Sequence, residues 1–92
     1  MRCFFHVSFG KMAWDSEGTD LQDLVEIRNA AVRLSAALLS DIDDRLLWKG
    51  TPWRLWVTEG PNGTGRTILA LSFAADYGAW DADPRAHKIH VN

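Results

Sequence analysis

Residues 53–73 read WRLWVTEGPNGTGRTILALSF, and this stretch decides the fold. Within 53–59, Trp53, Leu55 and Val57 alternate with Arg54, Trp56 and Thr58. A period of two, filled with aromatic and β-branched residues, marks a strand with two unlike faces. Residues 66–73 repeat the pattern, with Leu69, Leu71 and Phe73 alternating with Ile68, Ala70 and Ser72. Between them, Gly60-Pro-Asn-Gly-Thr-Gly65 combines Asn-Gly with further glycines, residue types that tolerate positive φ. The two runs therefore predict a β-hairpin. A loop so rich in glycine also invites a phosphate-cradle reading. A Walker loop needs Gly-Lys-Ser/Thr opening a helix, whereas a strand pattern follows Arg66.

Working outward, residues 2–9, RCFFHVSF, set Cys3, Phe5, Val7 and Phe9 against Arg2, Phe4, His6 and Ser8. This predicts another strand. Gly10-Lys11 reads as a turn, and residues 12–14 as a short second strand that ends at Asp15-Ser-Glu-Gly18. Residues 23–42 predict the one long helix. Leu24, Ile27, Ala31, Leu34, Leu38 and Ile42 recur every three or four positions and form one stripe. Asp23 with Glu26 has capping-box spacing, and so does Thr19 with Gln22, which leaves two possible starts one turn apart. Alanines at 30, 31, 36 and 37 favour helix and permit close packing on a sheet. Residues 45–52 read as a connector stopped by Gly50 and Pro52. After Ala74 the pattern fades, and Asp81 to Asn92 reads as a polar tail.

These elements predict an α+β fold: a small antiparallel sheet with one helix packed on one face, in ββαββ order. Residues 1–75 would form a single domain and 76–92 a tail able to pack back on the sheet. The helix side of the sheet would carry Phe5, Val7, Leu55, Val57, Leu69, Leu71 and Phe73.

Composition narrows function mainly by exclusion. The chain has 92 residues, 47% of them hydrophobic and 24% charged, which suits one globular domain rather than a disordered chain. A net charge of −2 supplies no basic excess for a nucleic-acid backbone, so nucleic acid is a disfavoured partner. No run approaches the ~20 apolar residues of a membrane helix, and the N-terminal apolar stretch is cut short by His6 and Ser8. The single cysteine, Cys3, cannot form an internal disulfide. It alternates with Phe5 and Val7 and reads as a buried apolar side chain. Together these features fit a cytoplasmic protein.

The opening Cys3-Phe-Phe-His-Val7, the acidic Asp15-Ser-Glu-Gly18 and Asp23-Leu24 before an Ala-rich helix form one ordered set of motifs. Trp53-Arg-Leu-Trp-Val-Thr-Glu59 and Thr67-Ile-Leu-Ala-Leu-Ser-Phe73 complete it. Over roughly residues 3–75 the set resembles a family of short bacterial, chiefly alphaproteobacterial, proteins known as domain of unknown function 6894. The resemblance implies the same strand, helix and hairpin order and brings no catalytic residues. The loop from Gly60 to Gly65 departs from it, being long where the family tends to a short acidic turn with one glycine.

No catalytic or metal-binding constellation and no cofactor site emerges. His87 and His90 have an i, i+3 spacing, but they follow Pro84 and lack a nearby Cys or Glu. Asp41, Asp43 and Asp44 lack the Gly and bidentate Glu of a calcium loop. His6 sits mid-strand with no nominated partner for general-base work. The informative feature is the sheet face turned away from the helix. Alternation places Phe4, His6, Arg54, Trp56, Ile68 and Ala70 there. Aromatic and Arg side chains are the usual anchors of interfaces, and a small monomer seldom leaves such a face to water. The expectation is a non-enzymatic interaction domain that forms a homodimer or binds a protein partner through this face. Alternatives are a small regulator or inhibitor of another protein, or a single-stranded nucleic-acid binder using the sheet aromatics. The tail, with Tyr77 and Trp80, is a second candidate cover for the same face.

Overall fold

The computed structural model describes residues 1–41 and 45–76. Ile42, Asp43, Asp44, Tyr77, Trp80, His87, His90 and the rest of 77–92 lie outside the described residues, so the expectations placed on them stay open. The chain is α+β. Strands β1 (Arg2–Ser8), β2 (Met12–Ala13) and β3 (Thr19–Asp20) precede helices α1 (Leu24–Asp41) and α2 (Arg45–Trp48). Strands β4 (Trp53–Thr58) and β5 (Thr67–Phe73) follow, joined through a single 3-10 turn at Pro61–Gly63.

All pairings are antiparallel, in the order β2-β1-β4-β5, with β3 also on β1. The expected ββαββ order therefore needs correction. β3 is an additional strand in which Thr19 and Asp20 pair with Cys3 and Arg2. Two residues are too few to show a period, so sequence alternation is blind to it. Residues 45–52 are likewise not wholly irregular, since they open with one helical turn before Gly50 and Pro52 end it.

The helix start is settled by its cap. Asp23 Oδ1 accepts the Glu26 N–H at 2.9 Å, and Glu26 Oε2 accepts the Gln22 N–H at 2.7 Å. A side-chain acceptor for an otherwise unmet first-turn N–H is what an N-cap supplies. Ile27 and Ala31 of the stripe are buried against Cys3, Val7, Trp53, Leu55 and Val57. Phe5, Leu34, Leu38, Leu69, Leu71 and Phe73 pack around that centre. The Trp53 and Phe73 rings meet edge to face with centroids 5.1 Å apart, an arrangement that adds to simple area burial. Cys3 is fully buried and its Sγ contacts the Thr19 carbonyl at 3.5 Å.

The register fixes which residues share a face. Phe5 pairs with Val57, His6 with Trp56 and Val7 with Leu55. Leu55 pairs with Leu71, Trp56 with Ala70 and Val57 with Leu69. Between Val57 and Thr58 the β4–β5 ladder slips: Val57 stands opposite Leu69, but Thr58 stands opposite Thr67. One residue of β4 thus faces two of β5, and Ile68 is the extra one. A bulge breaks strict alternation. Ile68 accordingly packs on the core beside Leu69 and lines an apolar groove with Leu24, Ala31, Val32 and Leu71. The groove, about 410 Å³, lies between α1 and the edge strand β5.

Candidate functional site

The face opposite α1 is built on His6. Although on a strand, its ring is fully buried. Three elements close over it. β4 contributes Trp56 and Thr58 beside it. The segment from β2 to Gly18 then turns back and lays Trp14 on top. Centroids of His6 and Trp14 are 5.4 Å apart, those of His6 and Trp56 5.4 Å, and those of Trp14 and Trp56 5.6 Å at 86°. The three rings brace one another in tilted and edge-on contacts. The 3-10 turn secures the segment from the far side. The Asn62 N–H donates to the Asp15 carbonyl at 2.9 Å. Gly63 has φ +81, and a Cβ there would lie 2.5 Å from Trp14 Cζ3, so only glycine admits the tryptophan.

A chain of hydrogen bonds runs beneath these rings. The Asp15 N–H donates to His6 Nδ1 at 3.1 Å. His6 Nε2 lies 2.8 Å from Thr58 Oγ1, and Thr58 Oγ1 donates to the Gly60 carbonyl at 2.7 Å. Because a backbone N–H can only donate, Nδ1 is the acceptor and Nε2 carries the hydrogen. The imidazole is therefore neutral. Burial pushes its pKa below 6.5, against the smaller opposing effect of the Asp15 charge.

Asp15 organises the turn. Its carboxylate accepts N–H bonds from Phe5 at 3.1 Å, Glu17 at 3.0 Å and Gly18 at 3.0 Å. Burial alone would raise its pKa, but these three bonds and the nearby His6 hold it below 3.8. The Phe5 contact serves the fold as well, because β2 and β3 pair with the two ends of β1 and Asp15 meets a donor between them. Gly18, at φ +78, lies so close to Phe4 that a Cβ would approach its Cε2 to 2.8 Å. Phe4 is thereby buried.

The six residues expected on this face have different fates. Phe4 and His6 are buried under the 12–18 segment. Trp56 is half-buried, with the Arg54 guanidinium 5.2 Å from its ring centroid. Arg54 and Ala70 are exposed, and Ile68 sits on the helix side through the bulge. Sequence reasoning missed Trp14, Asp15 and Thr58. The Asp-x-x-Gly turn chemistry of residues 15–18 was a usable signal, since an Asp side chain folds a turn onto itself. Nothing in the sequence aimed that turn at His6. The surface left to solvent is Trp14, 51% exposed, with Met12, Trp56, Arg54, Ala70 and Ser72.

The chemical capacity of this cluster is limited. Both His6 nitrogens are committed, so neither offers a free lone pair to a substrate proton. Burial raises the Cys3 thiol above 9.0, which keeps it protonated and weakly nucleophilic. Among the described residues, no three His, Cys, Asp or Glu side chains gather as a metal site requires. Among the same residues, no helix is long and apolar enough to cross a membrane.

The sequence profile of the family described as Domain of unknown function (DUF6894) matches residues 2–74, and the chain belongs to that family. Comparison with curated proteins and with solved structures found no match.

Proposed function

We propose that this member of the family is a non-enzymatic interaction domain that self-associates through the sheet face opposite α1. The observation that carries the reading is the pair Trp14 and Trp56, braced over a buried His6 and flanked by Arg54. Tryptophan and arginine are enriched among the residues that dominate interface energetics, tryptophan because it buries a large area at small entropic cost. Here the supporting rings and the Asp15–His6–Thr58 chain fix the tryptophans before any partner arrives. Pre-organisation of this kind lowers the cost of binding. Ala70 opposite Trp56, and Ser72 opposite Arg54, keep the surface beside them low and able to admit a partner's side chain. A second copy presents the same tryptophan and arginine surface, so an isologous dimer is the simplest closed assembly. The lone buried cysteine suits a reducing compartment, in line with a bacterial cytoplasm.

Static light scattering over a concentration series tests the reading. The wild type is expected as a dimer and Trp56→Glu as a monomer with an unchanged circular-dichroism spectrum. A wild type that stays monomeric at millimolar concentration refutes self-association, and an undiminished Trp56→Glu dimer refutes this face.

A further inference from the structure

His6 is buried and bonded through both ring nitrogens, and one of its partners cannot reverse its polarity. The Asp15 N–H fixes Nδ1 as a bare acceptor, while Nε2–H is directed to Thr58 Oγ1. Only the neutral ring satisfies both contacts. A second proton, arriving on Nδ1, would face the Asp15 N–H donor to donor in a site closed to water, and an unmet buried donor there is costly. The groups packed on the ring decide whether anything could absorb that charge. From β4 come Trp56 and Thr58, neither of which titrates near neutrality, and Arg54, a cation, lies over Trp56. From the 12–18 segment come Trp14 and Asp15. Asp15 is the charged group acting on His6. Its carboxylate is already engaged by the Phe5, Glu17 and Gly18 N–H groups. To reach a protonated Nδ1 it would have to give up the bonds that shape the turn.

We propose that His6 is an acid-released latch: protonating its ring unseats residues 12–18, with Trp14, from the sheet while the β1–β4–β5 ladder stays folded. The segment is suited to release. β2 holds β1 through only two residue pairs, Val7 with Ala13 and Ser8 with Met12. The remaining ties of residues 12–18 to the sheet pass through Asp15, Trp14 and Gly18, and through the Arg2 guanidinium, which donates to the Glu17 carbonyl at the exposed end of the segment. The ladder, by contrast, rests on the α1 side and its core. Burial already disfavours the charged ring, so the transition falls below pH 6.5. The latch is a property of the single chain. Only its consequence, loss of the Trp14 part of the binding surface, rests on the proposed interface.

Site-resolved NMR of the wild type tests it, at a concentration where the chain is monomeric. The imidazole nitrogen shifts are expected to report a neutral Nε2–H tautomer at pH 7.5. On acidification through the His6 titration, followed by the imidazole shifts, Asp15 amide exchange, corrected for its intrinsic pH dependence, is expected to rise at least tenfold. Its midpoint should coincide with His6 protonation, while the Leu55 and Val57 amides stay protected. Unchanged Asp15 protection through the His6 titration overturns the proposal. So does simultaneous loss of protection at Leu55 and Val57, which would mean global unfolding, and so does an Nδ1–H tautomer at pH 7.5. Light scattering of the wild type over a concentration series at pH 7.5 separates the two readings, because a failed latch leaves the dimer intact and a failed dimer leaves the titration intact.

Discussion

Replacing Thr58 by valine should destabilise the fold although it preserves side-chain shape almost fully. Thr58 is 1% exposed and its Oγ1 accepts from His6 Nε2 at 2.8 Å. Valine removes that acceptor and leaves the Nε2–H of a fully buried ring without a partner. The ring cannot escape by changing tautomer, because the Asp15 N–H occupies Nδ1. An orphaned buried donor costs about 1–3 kcal/mol. The Gly60 carbonyl also loses its partner, but Gly60 is only half-buried and water can replace it. Exchanging hydroxyl for methyl returns at most about 0.8 kcal/mol. The net loss is about 0.2–2 kcal/mol. With a urea m-value of about 1 kcal/mol per molar, the midpoint moves down by about 0.2–2 M. Thr58→Ser is the matched control, since it keeps the hydrogen bonds and loses one methyl group, about 1 kcal/mol. Urea melts followed by tryptophan fluorescence at pH 7.5 measure both. If packing alone mattered, valine would be nearly neutral and serine the worse of the two. A Thr58→Val variant as stable as wild type or more so would refute the hydrogen-bond chain.

Stability should also depend on pH in two windows. The folded pKa of His6 lies below its unfolded value of 6.5, so the unfolded chain binds the proton first and stability falls as pH drops from 6.5 through the folded pKa. Asp15 behaves alike lower down, with its contribution lost as pH falls below 3.8 through its folded pKa; thermal melts between pH 8 and 3 should show stability falling from pH 6.5 downward and again below 3.8, and a flat profile below pH 6.5 would contradict the His6 assignment. Gly18→Ala should cost about 1–3 kcal/mol, because it places a Cβ at φ +78 and against Phe4, and chemical denaturation would detect it. Ser35→Ala should stabilise by about 1 kcal/mol: the Ser35 hydroxyl is buried on α1 with no hydrogen-bond partner among the described residues, and alanine favours helix; a lower melting temperature would speak against this.

Much of the fold was readable because long amphipathic elements repeat their signal. Seven or more residues of period two locate β1 and β5, and the Leu24–Ile27–Ala31 spacing with the Asp23 cap locates the start of α1 to within a residue. The same rhythm assigned Leu55 and Val57 to the core, and both are fully buried. It failed where a single local event broke the period. Ile68 changed sides through one bulge, whose cause is the pairing geometry of β4 and β5 and not the composition of either strand. β3 and α2 are shorter than one period of any pattern.

The candidate site was legible in part for a related reason. Alternation put His6 and Trp56 side by side on the reverse face, and their cross-strand pairing follows. It could not say that Trp14 would cover them, because that depends on where a turn directs its next residue. Asp15 does this through contacts with Phe5 and His6 nine or ten positions away. A carboxylate that bonds backbone N–H groups at that distance leaves no periodic trace. The sequence reading offered the tail or a partner as cover for Phe4 and His6. The 12–18 segment supplies that cover, leaving the two tryptophans and Arg54 as the outward layer.

The most direct test of that outward layer as a self-association surface is a dilution series recorded on the tryptophan indole N–H resonances. The Trp14 and Trp56 signals are expected to shift with concentration along one dimerisation isotherm, while the buried Trp53 signal stays fixed. Shifts confined to Val32, Leu69 and Leu71 in the groove beside α1, with Trp14 and Trp56 unmoved, would contradict it.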